Sequence, residues 1–110
     1  MATEVEDWLA DQARDQLAEG AVGLYEFVWW LDSSRFELPP TAVRELAREL
    51  VARLVRDGLA GLYRIAWPTY LVVAGPLPTS VLDQDDAWCE GSEFVALVPH
   101  LGGHQDGATA

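Results

Sequence analysis

Residues 40–58 constrain the fold more tightly than any other stretch of the chain. Val43, Leu46, Ala47, Leu50, Val51, Leu54 and Val55 recur at helical spacing, with Arg44, Glu45, Arg48, Glu49, Arg53 and Arg56 between them. That pattern writes an apolar stripe along one side of a helix and a charged face along the other. Pro39 and Pro40 precede it, where proline suits a first turn, and Asp57-Gly58 follows, where glycine suits a stop. Such a helix is stable only when its stripe is covered, so the rest of the chain must supply the covering surface. With 110 residues and a mass of 12.1 kDa, there is material for one core.

Two helices are expected upstream. Thr3-x-x-Glu6 reads as a capping box that opens a helix over 3–19, with Gly20 as its stop. Val5, Trp8, Leu9, Ala13 and Leu17 form its apolar face. A second, short helix is expected over 23–31, with Leu24, Phe27, Val28 and Leu31 turned inward. Its Trp29 and Trp30 project about 100° apart, so the two are not expected to be fully buried together.

Downstream the pattern changes to strands. Residues 59–67 predict one strand, and 70–74 either continue it or return antiparallel beyond Pro68. Residues 79–88 predict a short helix with an acidic end, and Glu93–Val98 a further strand. The fold class expected is α+β: three N-terminal helices, then a small antiparallel hairpin or sheet with an inserted short helix. Residues 1–101 would form this single domain. Residues 102–110, rich in glycine with little to bury, would form a disordered tail.

Charge separates the functional classes. Eighteen acids oppose seven bases, all of them Arg, for a net charge of -11. Residues 40–64 hold five Arg against three acids, a net of +2, which leaves -13 on the remainder. Asp7, Asp11, Asp15 and Glu19 recur every four residues on the first helix, opposite its apolar stripe, and make an acidic ridge. An acidic body repels a phosphate backbone and attracts basic partners.

Catalytic and metal chemistry find little support. Asp83-Gln84-Asp85-Asp86 begins like a calcium loop, but Trp88 and Phe94 stand where that loop needs Gly and Glu. His100 and His104 lie by Pro99 and a Gly-Gly pair, and no second cysteine supports Cys89. No phosphate loop or nucleophile elbow is present, so neither a cofactor, a metal nor an enzymatic activity is expected. The single Cys89 cannot form an internal disulfide, and the acidic start has no basic or apolar leader pattern, which predicts a cytoplasmic protein. No apolar run reaches the length of a membrane span, so no membrane partner is expected.

The order helix, helix, longer helix, glycine, strand, irregular excursion, strand resembles a winged helix-turn-helix, and Val43–Ile65 looks like its third helix running into the first wing strand. The sequence departs from that pattern by placing residues 67–90 between the strands. The resemblance implies a DNA-binding regulator in which Arg44, Arg48, Arg53 and Arg64 meet phosphates or guanine edges. In size, acidity and want of catalytic groups the chain is also similar to small immunity proteins that neutralise a bacterial toxin. That similarity implies a non-catalytic protein-binding module for a basic partner. Asp7, Asp11, Asp15, Glu19, Asp83, Asp85 and Asp86 would steer the partner in, and Trp29 and Trp30 would be buried by it. The charge balance favours the second expectation over DNA binding.

Overall fold

The computed structural model describes residues 4–100, which form an α+β domain of three helices and a four-stranded antiparallel sheet. The expected Thr3 cap and the 102–110 tail lie outside the described residues. Helix α1 spans Glu4–Leu17, α2 Leu24–Asp32 and α3 Pro40–Arg56; the strands are β1 Val22–Gly23, β2 Ala60–Ala66, β3 Leu71–Ala74 and β4 Glu93–Pro99. None of the described helices is long and apolar enough to cross a membrane.

Helix α3 is the element its sequence pattern predicts. Val43, Ala47, Leu50, Val51 and Leu54 are buried. Gly58 adopts φ +77°, which lets the Leu59 N–H reach the Leu54 carbonyl and the Gly58 N–H reach that of Val55. These two bonds satisfy carbonyls that the helix end leaves open, and they turn the chain directly into β2. Leu9 and Ala13 of α1 and Leu24, Phe27 and Leu31 of α2 complete the helical layer. The loop after α2 folds back on α1, where Phe36 lies 5.8 Å from the Trp8 ring and Arg35 pairs with Glu4 at 2.6 Å.

The sheet has the order β1-β4-β2-β3. Strand β4 pairs along all of β2, from Ala60 opposite Pro99 to Ala66 opposite Glu93. On its other side it receives β1, Val22 opposite Leu97 and Gly23 opposite Ala96. Strand β3 returns antiparallel to β2, which settles the alternative left open at Pro68. The register advances by one residue from Ile65 to Arg64 but by two from Val72 to Ala74, so Val73 is a bulge residue.

Alternation then sorts the side chains. Leu62, Val95 and Leu97 enter the main core with the helices, while Ile65, Phe94 and Ala96 form a smaller cluster with Ala21, Tyr25, Tyr63 and Val98.

Two expectations need correction. Strand β1 interrupts the expected run of three helices, because Val22 and Gly23 add to the free edge of β4 before α2 begins. The expected short helix at 79–88 is a pair of 3-10 turns, Thr79–Asp83 and Asp85–Trp88. Gln84, extended at ψ 130°, separates them and prevents a continuous α-helical ladder.

Candidate functional site

Two of the acidic residues expected to meet a partner, Asp83 and Asp85, and two of the Arg residues expected to meet DNA, Arg44 and Arg48, meet each other. Arg44 and Arg48 stand one turn apart on α3, and the two 3-10 turns lie across them. Arg48 Nε donates to Asp83 Oδ1 at 2.7 Å. Arg44 Nη2 lies 3.3 Å from both Asp85 Oδ1 and the Gln84 carbonyl. Its guanidinium also sits 5.1 Å from the Trp88 ring centroid, where the face of the indole attracts a cation. Trp88 is itself fixed, buried with its Nε1–H on the Leu82 carbonyl at 2.9 Å. The hydrogen bond from Arg48 holds the Asp83 carboxyl below its ordinary range, and the same contact raises Arg48 further.

Of the other expected cations, Arg53 shares a groove with Arg48, while Arg64 lies on β2. Arg53 is exposed further along α3, and Arg64 is half-buried on β2 beside the bulge. A groove of about 420 Å³ between α1 and α3 is lined by Glu6, Leu9, Leu46, Glu49, Arg53 and Arg56 among others. Arg48 lines it as well, so three Arg share the groove with two Glu, and the acids offset most of the positive field it would offer a phosphate backbone.

The acidic ridge is a surface feature. Asp7, Asp11 and Asp15 are exposed on α1, and Glu19 is exposed just past its end. Asp11 pairs with Arg14 one turn on. Asp86 is exposed in the second 3-10 turn.

An aromatic row, which the sequence did not reveal as a unit, crosses the outer face of the sheet. Trp29 meets Tyr25 at 4.8 Å between ring centroids, Tyr25 meets Phe94 at 5.4 Å, Phe94 meets Tyr70 at 5.9 Å, and Tyr70 meets Trp67 at 5.8 Å. All four contacts are edge-on, the arrangement that ring quadrupoles favour. Phe94 is buried at the centre, while Trp29 is 52% exposed and Trp67 58% exposed at the two ends. Trp30, by contrast, is half-buried against Phe27 at 4.8 Å. Gly23 is needed under this row, since a Cβ there would lie 2.5 Å from Tyr25 Cε1. The Gly23 N–H is held by the Glu26 carboxylate at 2.8 Å, which fixes the entry to α2. Burial raises the Tyr25 phenol above its ordinary value, with Glu26, Tyr70 and Glu90 adding to the effect.

Among the described residues, no three His, Cys, Asp or Glu side chains converge to hold a metal ion. Comparison with protein-family models, curated protein sequences and solved structures gave no significant match.

Proposed function

We propose that this chain is a non-catalytic protein-binding module of the immunity or antitoxin type, which holds a basic protein partner such as a bacterial toxin in the cytoplasm. The observation that carries this reading is the pairing of Arg48 with Asp83 and of Arg44 with Asp85. A helix that reads DNA needs its cations free for phosphates and base edges. Here two of the four Arg residues assigned to that role are already engaged by carboxylates of the same molecule. What the surface then offers at long range is negative charge, in line with the net -11.

The frame we propose is winged-helix-like. In support, the strand that follows the third helix pairs along its whole length with the last strand. On this reading the frame carries protein recognition and no groove reader, since one fold hosts many functions.

Association proceeds in two stages. The field of Asp7, Asp11, Asp15 and Glu19 raises the encounter rate with a basic surface, and exposed rings such as Trp29 are then desolvated against it. An acid-rich face of this kind blocks a nuclease by occupying the site that receives phosphates.

Copurification from the source cell, followed by association kinetics on the isolated pair at two ionic strengths, tests the proposal. The expected result is a basic protein whose association rate falls steeply with salt. Submicromolar, Arg48-dependent binding to a sequence-selected duplex at physiological salt would overturn it in favour of a DNA-binding regulator.

A further inference from the structure

We propose that the β2–β3 hairpin is a self-association seam, through which two copies of this chain pair hairpin to hairpin, β3 along β3, about a two-fold axis. The inference is independent of the partner reading above.

Strand β3 is the edge of the sheet, so its outer backbone N–H and C=O groups face away from β2. Every residue of Leu71–Ala74 is exposed. With Trp67 and Tyr70 at the turn, five large apolar side chains between 46% and 65% exposed stand together on this hairpin. Natural edge strands are commonly protected by lysine or inward-pointing charge, and β3 has neither. The bulge at Val73 and the four-residue length of β3 blunt the edge in part, and they leave Leu71 and Val72 in regular pairing with β2.

Charge selects the occupant. Residues 65–82 are eighteen positions without a single Asp, Glu, Lys or Arg, in a chain that carries 23% charged residues. A basic partner gains nothing electrostatically from such a stretch. A second copy, which brings its own net charge of -11, requires it. Two strand spacings separate β3 from β4, and α1 packs against β4 and β1. The acidic ridge is thereby set back by about 10 Å or more, on the order of the Debye length in physiological salt.

Area agrees with this choice. The five side chains expose on the order of 500 Å² of apolar surface per copy; about 1,000 Å² is thus the most a two-fold contact removes, and because Leu71 and Val72 lie on opposite faces the contact covers less, which suits a weak, concentration-dependent dimer. The contact is isologous, the same patch on both copies, which closes the assembly at two and shields both edges at once.

Sedimentation equilibrium of the full chain at low and high salt, over a range of concentrations, tests the seam. The expected result is a monomer–dimer equilibrium between 12.1 kDa and twice that mass, shifted toward dimer as salt screens the repulsion between bodies. Val72→Glu and Leu71→Glu, each at an exposed position, are expected to raise the dimer dissociation constant by about tenfold or more, because two like charges then meet at the seam. Both variants should keep the wild-type circular dichroism spectrum. In a Cys89→Ser background, Val72→Cys is expected to cross-link to itself under mild oxidation. A chain that stays monomeric at high salt and high concentration overturns the proposal. So does a dimer that both Glu variants leave intact, or one that dissociates as salt rises.

Discussion

Arg48 Nε and Asp83 Oδ1 stand 2.7 Å apart across thirty-five positions of sequence. With Arg44 and Asp85 beside them, they clamp the 3-10 segment onto the charged face of α3. Surface pairs of this kind contribute little stability one by one, because water screens them and two side chains must be ordered. Their effect is on what the surface can recognise. The positive charge of Arg44 and Arg48 is answered within the molecule.

Asp83→Asn removes that clamp's carboxylate, and its effect on stability should depend on pH. The Asp83 carboxyl titrates lower in the folded chain than in the unfolded one, so its contribution is present above the ordinary carboxylate range and lost as pH falls through it. Melting temperatures of the two proteins should differ by a constant amount near neutrality and converge below about pH 4. A difference that persists unchanged into acid would mean the pair contributes nothing.

Tyr25→Phe should show its effect at the alkaline end. The phenol is held neutral above its ordinary range, chiefly by burial, so wild-type stability is complete below that range and declines as pH rises through it. Phenylalanine cannot ionise. The melting temperature of the variant should therefore fall less steeply than that of wild type above about pH 10.

Gly23→Ala should cost about 1–3 kcal/mol, since the added methyl would sit 2.5 Å from the Tyr25 ring and 3.2 Å from that of Phe94. Urea denaturation measures this, and near-ultraviolet circular dichroism should report the displaced ring. Tyr25→Leu in the same background should recover part of the loss.

Leu50→Ala should cost about 2–5 kcal/mol, because Leu50 is buried on α3 within the main hydrophobic core. A loss below about 1 kcal/mol would mean that the site collapses around the smaller side chain.

Replacing Asp7, Asp11 and Asp15 together with Asn should leave stability within about 0.5 kcal/mol of wild type, as relief of i,i+4 repulsion offsets the lost Asp11–Arg14 pair. Association with a basic partner should slow, and the wild-type advantage should shrink as salt rises. An unchanged rate at low salt would show the ridge to be a solvated face.

Helix α3 was legible because seven apolar residues repeat at one period between two prolines and a glycine. Strand β1 was not, since two residues cannot display alternation; its existence depends on β4, more than seventy positions away. The Arg–Asp pairs were hidden for the same reason. Asp83 and Asp85 looked like free acids and Arg44 and Arg48 like free bases, because sequence spacing reports only neighbours within an element. For Trp29 and Trp30, helical projection correctly denied full burial to both, but choosing the exposed one required the position of Phe27. Leu71, Val72 and Val73 held the least legible information. An apolar strand reads as core, and only the sheet order places it at an edge.

The position of β4 has a consequence for synthesis. It is the last of the described strands to be made, yet it lies between β1 and β2 and is the partner of both. Until the ribosome releases residues 93–99, the nascent chain can form helices and the β2–β3 hairpin, but β1 has no neighbour and the sheet has no middle. The sheet therefore cannot be complete until the residues of β4 have been made. A ribosome stalled before residue 93 would hold the apolar sides of β1 and β2 open, which makes this the interval when a chaperone has most to bind.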